Sequence, residues 1–485
     1  MKKLTIWLQE KVVPIHKHEL SKFMCLAAMM IIITYIHTML KISKDALVIH
    51  HLHTEAISAI KLWLVTPLSI LFMFAYIKLA DIFSRSKLFH VMTWFFVSYF
   101  ALFALVFYPN HEALSIYISP ETQEQLPAMK YIFTIISSWD FCLFYVFSEM
   151  WVTIMLSISL WQAVNHITSI EESKRFYPLF GLTAQFGMMF AGTLSKSFVT
   201  HGTDWQPTLN NVTISLIVGG VLLSICIVLL GKVIGIEKFN SRSNIGGIVK
   251  TKKPKISFTE SLKVIASSKP ILLITSLLLC YNISINLAEG VWKKSIEIHF
   301  GGDANLIHYF MSNINLYISI LSIAFALLGV YIVRACKWKT TALITPIIFA
   351  IVGVMFFLFM VFKDIALVFS VSMPALAMAV YFGAVHNIAA RSTKHTLFDA
   401  TKEMAYIPLD DDLKTKGKAA AEMIGMRFGK GSGAFIQQVL LTIFSGLTLL
   451  DLAPAIAGIF VIVMLWWLYS TLALNKELHQ KQSDM

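Results

Sequence analysis

Two glutamates stand where lipid would be expected around them. Glu149 lies inside an apolar run near 130–165, and Glu289 inside another near 270–298. A charge at the centre of a bilayer costs about 2.5–3.5 kcal/mol on insertion scales, so each needs a counter-charge or a water-filled cavity. No basic residue lies within one turn of Glu149, so its partner must come from another helix. Lys44 and Asp45 close the first apolar run, preceded by Lys41, and Arg427 and Lys430 lie in the run 419–446. Asn282, Asn286, Glu289 and Lys293 are separated by four, three and four residues, which aligns them as one polar stripe on a helix. Such a stripe lines a cavity or meets a neighbouring helix. Asn165 and Asn387, each beside a histidine near the end of its run, complete the candidate set. Cations balanced by carboxylates inside lipid are suited to holding and releasing an anion.

Gly425, Gly429 and Gly433 surround Arg427 and Lys430. A phosphate loop needs four residues between its glycines and Ser or Thr directly after Lys, whereas Gly431 follows Lys430 here. Glycine at every fourth position is instead the small-residue face that lets membrane helices approach closely. A close approach of this kind still allows Arg427 and Lys430 to reach a polyphosphate. The aromatic residues Trp139, Trp151, Trp161 and Tyr281 could stack on a base or merely pack. His50, His51 and His53 lack the carboxylate or cysteine spacing of a metal site.

Composition sets the frame for these residues. Of the 485 residues 57% are hydrophobic and only 14% charged, against globular norms of roughly 45–50% and 25%. Mean hydropathy is +0.70. This excludes a soluble enzyme, a disordered scaffold and an outer-membrane barrel, whose alternating strands give weaker hydropathy. The five cysteines are scattered through apolar runs and form neither a disulfide framework nor a ligand cluster.

Apolar runs fall near 23–43, 57–79, 88–108, 130–165, 177–199, 211–233, 270–298, 305–333, 341–362, 365–391, 419–446 and 452–474. The expected fold is therefore an all-α membrane protein with twelve transmembrane helices. The fourth run is about 36 residues, or ~54 Å as one helix, and is read as one long helix. With the N-terminus inside, the cytoplasmic segments hold 29 of the 40 Lys and Arg residues, while loop 109–128 carries Glu112, Glu121 and Glu124 and no basic residue. The net charge of +12 is then mainly an orientation signal rather than a nucleic-acid surface. The polar stretch 232–269 divides the helices six and six. The plan is a cytoplasmic N-terminus 1–22, a half 23–235, a basic linker 236–269, a half 270–474 and a cytoplasmic tail 475–485. Two such halves make a major-facilitator-like arrangement, with the substrate site between them at mid-membrane. The loop Leu79–Lys87, with Asp81 and Arg85, resembles the loop that superfamily carries between its second and third helices.

Four stretches go beyond hydropathy: Ser148-Glu149-Met150-Trp151 with Leu160–Asn165; Lys174–Gly181, reading KRFYPLFG; Leu287–Lys293, reading LAEGVWK; and FDATKEMAYIPLDDDLKTKGKAA at 398–420. Together they closely resemble the nucleotide transporter family of plastids and obligate intracellular bacteria, the ATP:ADP antiporters. The resemblance covers nearly the whole chain. It implies a twelve-helix fold and a charge set for transport at Lys44, Glu149, Glu289 and Lys430. The sequence departs from the family pattern at Gly429-Lys430-Gly431-Ser432-Gly433, where Gly-Lys-Ser-Gly-Gly is usual, and at Thr183-Ala184, where Gly-Ala is usual. The expected function is exchange of ATP for ADP by alternating access, with Lys293, Arg427, Asn286, Asn165 and Asn387 supporting that charge set. The alternative is a proton-coupled importer of other nucleotides or NAD. Neither reading involves an enzyme activity, cofactor, metal or nucleic acid. A single chain in a bacterial inner membrane suffices, with both termini cytoplasmic and lipid around it.

Overall fold

The computed structural model describes residues 15–200, 202, 204–240, 258–362, 373–410 and 413–483. Its long helices are α1 (Leu20–Leu52), α2 (Ala56–Ile82), α3 (Arg85–Leu114), α4 (Trp139–Ile167), α5 (Ile170–Phe198), α6 (Gln206–Ile234), α7 (Lys269–His299), α8 (Ala304–Ala335), α9 (Trp338–Val361), α10 (Ala375–Thr393), α11 (Gly429–Ile443) and α12 (Ala453–Ser483). No strand occurs among the described residues. Their ends follow local chemistry. Ser169 and Glu172 form a reciprocal capping box at the start of α5, and Asp303 caps α8 by accepting from the Leu306 N–H. Between α7 and α8 the chain reverses through Gly301 and Gly302, at φ 61° and 73°, a conformation that favours glycine.

Among the described residues nine helices are long and apolar enough to cross a membrane: α1 to α4, α6 to α9 and α12. The other three fall short for different reasons. α5 has 29 residues but mixes Thr, Gln, Ser, Lys and Gly into its apolar stretch, because it packs between α1 and α8. α10 is long enough at 19 residues but carries His386, Asn387 and Arg391 in its apolar stretch, and α11 continues a helical stretch from Leu413 whose first turns hold Lys414, Lys416, Lys418 and Glu422.

The fourth run is not one helix. It breaks at Ser138 (φ −120°, ψ 48°), leaving Lys130–Ser137 as a separate short helix. The break is held by hydrogen bonds from the 109–128 loop: the Ile116 N–H donates to the Ser137 carbonyl, and Trp139 Nε1 donates to the Leu114 carbonyl at 3.0 Å. The carbonyl of Ser137 is thus taken by a loop. Of the linker, Ile236–Asn240 and Phe258–Ser267 are helical, and 241–257 lies outside the described residues. The Leu79–Lys87 loop docks on the first of these, with Arg85 donating to the Phe239 carbonyl at 3.1 Å and the Ser86 N–H to Asn240 Oδ1 at 3.0 Å.

Close helix approaches are set by glycine. The stripe Gly425, Gly429 and Gly433 meets the stripe of α7: a Cβ added at these positions would lie 2.5 Å from Leu278 Cβ, 2.8 Å from Asn282 Cβ and 2.4 Å from Asn286 Cβ. α5 crosses α8 equally closely, since a Cβ at Gly192 would lie 2.7 Å from the Leu316 nitrogen. Gly431 faces open space, with nothing within 4 Å of its added Cβ. Gly433→Ala must therefore push α11 off α7 and should destabilise the fold by about 1–3 kcal/mol, as overpacking does. Gly431→Ala should leave the melting temperature in detergent unchanged or slightly raised. Equal melting temperatures for the two variants would contradict this packing.

Candidate substrate site

The centre of the molecule is organised by helix faces that bring charges together. On α1, Lys41, Lys44 and Asp45 are three and four residues apart and share one face. Glu149 comes from α4, Glu289 and Lys293 from successive turns of α7, and Arg391 from α10. Together they form a chain of strictly alternating sign. Glu149 Oε1 is 2.9 Å from Lys44 Nζ, which is 3.2 Å from Asp45 Oδ1. Asp45 Oδ2 is 2.9 Å from Lys293 Nζ, which is 3.1 Å from Glu289 Oε1. Glu289 Oε2 accepts from Arg391 at 2.8 Å. Lys44, Asp45 and Lys293 are each only about 4% exposed. Unit charges 4 Å apart are worth about 1 kcal/mol in water and about 4 kcal/mol at an effective dielectric of 20, so burial makes each link strong and each break costly. Lys44 also lies 3.6 Å from the centroid of the Tyr145 ring, which supplies a further weak attraction.

Two cavities flank the Glu289–Lys293 turn and share both residues. One opens between α1, α7, α8 and α10 and includes Lys41, Asp45, Trp292, Asn315, Asn387 and Arg391. The other opens between α2, α7 and α11 and includes Thr54, Ser58, Lys61, Asn286 and Gln437. Lys61 sits in the π-helical turn Ile60–Val65 of α2, a local widening of the helix often found where side chains serve a site.

A second polar cluster lies at the end of the molecule where α1 finishes, here called the distal end. Glu297 of α7 accepts from the Thr54 N–H at 2.8 Å and from Thr54 Oγ1 at 2.6 Å, and it contacts His53 Nδ1 at 2.9 Å. Lys294 links Glu297 to Glu55, at 2.8 and 3.2 Å. Further contacts between the first and last six helices join Ser58 to Gln438 and Thr208 to Asn305, at 3.1 and 2.6 Å. At the opposite, proximal end the described ion pairs stay within one group of helices: Lys22 with Glu172 and Arg175 with Glu19 on one side, Lys402 with Glu422 and Lys418 with Glu403 on the other.

A family model described as "TLC ATP/ADP transporter" matches residues 2–478. The chain belongs to that family. Among its curated relatives, "ADP,ATP carrier protein 4" of Rickettsia conorii is 36% identical over 485 residues, covering 97% of this chain and 94% of the relative. "ADP,ATP carrier protein 1" of Rickettsia bellii is 37% identical over 483 residues, covering 97% and 96%. Among solved structures, a bacterial homologue of the iron transporter ferroportin in its inward-facing state superposes with a TM-score of 0.59 at 13% identity, covering 93% of this chain and 99% of that one. A bacterial metal transporter gives 0.57 at 11% identity, covering 93% and 98%. At such identities the likeness is one of fold, and that fold is major-facilitator-like. The TLC chain is thus an integral membrane transporter, a class distinct from enzymes.

Within this TLC-family chain the candidates named from sequence divide. Lys44, Glu149, Glu289 and Lys293 stand in the charge chain, and Asn286 and Asn387 line the two cavities. Asn165 does not join them: it is exposed at the proximal end of α4, where it accepts from Tyr177 Oη. The backbones of Arg427 and Lys430 lie in helix, in the turn Met423–Phe428 and in α11, while their side chains lie outside the described residues. The aromatic candidates are committed to packing. Trp151 donates to the Ile33 carbonyl, Tyr281 to the Ala390 carbonyl, Trp139 to the loop, and Trp161 packs edge-on against Tyr177. Lys61 and Arg391 were not among the candidates named from sequence, and Asp45 and Lys41 were noted there only as charges at the end of the first apolar run, with no role in the site. The three-and-four spacing of Lys41, Lys44 and Asp45, and the single lysine inside an otherwise apolar run at Lys61, were the signals available for them.

The Lys44–Glu149 link makes a direct prediction. Lys44→Gln or Glu149→Gln alone leaves a buried charge short of its partner, so each should lower thermal stability. The double variant should recover part of the loss, with a coupling of about 0.5–3 kcal/mol between the sites. A coupling of zero in that double-mutant cycle would mean that the contact carries no energy.

Proposed function

We propose that this chain exchanges ATP for ADP across a bacterial inner membrane by alternating access. In this reading twelve membrane-spanning helices form two six-helix halves, 23–235 and 270–474, joined by the linker 236–269, with both termini in the cytoplasm. The observation that carries it is the alternating charge chain, which crosses from one half to the other through Asp45 and Lys293. The names of the Rickettsia relatives supply the substrate pair.

ATP and ADP bring about four and three negative charges, so a site for them must present cations. An empty site full of unpaired cations would be unstable in low dielectric. Glu149 and Glu289, with Asp45, hold Lys44, Lys293 and Arg391 while no nucleotide is present. Entering phosphates take over part of those contacts and loosen the Asp45–Lys293 link between the halves. A ligand drives a conformational change only through such differential contacts. The empty carrier re-forms the chain and stays clamped, so a return journey requires a second nucleotide, and exchange follows.

The polar contacts at the distal end, together with pairs kept within each half at the proximal end, support a reading in which this conformation opens toward the cytoplasm. Glu297 with Thr54, and Lys294 with Glu55, then act as the outer gate. Lys430 joins the phosphate-binding set on the strength of the resemblance, from a helix held close to α7 by Gly429 and Gly433.

The test is uptake of labelled ATP into proteoliposomes. Vesicles preloaded with ADP should take up ATP, and empty vesicles should take up far less. Lys44→Gln and Glu289→Gln should each reduce exchange at least tenfold, the loss expected when a charge-assisted contact worth about 1.4 kcal/mol or more is removed. Uptake into empty vesicles driven by an acidic exterior would overturn exchange in favour of proton-coupled import.

A further inference from the structure

The charge chain contains a surplus. Among the described side chains, three carboxylates face five cations in the central region: Asp45, Glu149 and Glu289 against Lys41, Lys44, Lys61, Lys293 and Arg391. The carboxylates are fully used. Glu149 serves Lys44, Asp45 serves Lys44 and Lys293, and Glu289 serves Lys293 and Arg391. Among the described residues Lys41 hydrogen-bonds to the amide oxygen of Asn315, at 3.1 Å, and has no carboxylate within 4.0 Å. Lys61 has no carboxylate within 4.0 Å among the described residues and lines the second cavity. The two leftover ammonium groups therefore sit in separate cavities on opposite sides of one Glu289–Lys293 turn.

We propose that Lys41 and Lys61 are the cations that first receive the polyphosphate of the transported nucleotide, one from each side of Glu289. The assignment rests on the nucleotide reading above and specifies which groups of that site meet the phosphates. Three features support it. A lysine ammonium is a compact charge with three donors on a flexible stem, suited to phosphate oxygens that must be gripped and released. Two unmatched positive charges give the empty site an excess that offsets about half of the roughly four negative charges ATP brings, so the polyphosphate is drawn to these two lysines first. Both lysines belong to the α1–α2 side while the turn they flank belongs to α7, so an anion held by both lies across the contact between the halves. Lys41 and Lys61 meet the phosphates first, and the carboxylate contacts of Lys44, Lys293 and Arg391 then yield in part to the bound anion.

The test uses the purified full-length chain, with ATP, AMP and inorganic tripolyphosphate as probes. Binding is followed by calorimetry and by melting temperature. For the wild type, ATP and tripolyphosphate should both bind and raise the melting temperature, and AMP should bind more weakly. Lys41→Gln and Lys61→Gln should each weaken ATP and tripolyphosphate binding by about ten- to a hundredfold while changing AMP binding by less than about threefold. Lys→Arg at either position should retain most of the affinity. Without ligand, both glutamine variants should melt no lower than the wild type, because a cation without a carboxylate partner is lost. A fall in that ligand-free melting temperature would assign the lysines to packing and overturn the proposal. Unchanged ATP affinity in both glutamine variants would also overturn it, leaving the exchange reading intact. A wild type that binds tripolyphosphate but no nucleotide would overturn the exchange reading, with the glutamine variants then deciding the phosphate assignment alone.

Discussion

Charge neutralisation without water is the constraint on which this molecule depends. Six ionised side chains from four helices form one chain from Glu149 to Arg391, and each member is satisfied only because its neighbours are in place. That requirement brings α1, α4, α7 and α10 to a common centre. Removing one member leaves a charge that the interior cannot solvate, so the network is all or nothing over short distances. Everything around it is built to allow that approach. Glycines on α11 bring it against the polar stripe of α7, and Gly192 brings α5 against α8. Helices that make such contacts lose the uniformly apolar character of a lipid-facing span, and α5 illustrates this by falling below the apolarity of its neighbours.

The same interactions explain how a rigid assembly can work as a transporter. The central chain and the distal cluster both cross between the first and last six helices, whereas the described proximal pairs do not. In the exchange proposed above, contacts at the centre and at one end serve as hinge and clamp, and an anion competing for the central link shifts the balance between clamp and release without unfolding any helix. The π-helical turns beside the site, at Ile60–Val65 in α2, Val152–Leu160 after Glu149 and Met423–Phe428 before α11, are local departures from regular hydrogen bonding. Such turns are adaptable points at which a helix can change its packing.

Part of the site was readable from sequence because lipid makes charges conspicuous. Glu149 and Glu289 stood out for that reason, and the lack of a nearby base around Glu149 required the cross-helix partner that Lys44 provides at 2.9 Å. The four-residue spacing of Glu289 and Lys293 implied their mutual contact, and the glycine period on α11 implied a close neighbour. Other parts were not readable. Asp45 looked like a residue at a helix end, yet its carboxylate is the bridge between the two groups of helices. Arg391 stands at the last position of the apolar run 365–391, yet it reaches back to Glu289. Asn165 resembled Asn387 in its surroundings along the chain, but one is exposed at a helix end and the other is buried against a cavity. The break at Ser138 was hidden because apolar composition continues across it, and the hydrogen bonds that hold it come from a loop more than twenty residues earlier.

The sequence alone determined that the chain is helical, lies in membrane and carries a few charges that must pair, because hydropathy, spacing and glycine period act over one or two turns. Family membership was also legible there, in short stretches such as LAEGVWK. Which charge meets which, which lysines are left without a carboxylate, and where cavities open are decided only by tertiary structure. Those outcomes depend on distances between residues hundreds of positions apart, and a buried charge takes whichever partner the packing of helices brings within about 3–4 Å.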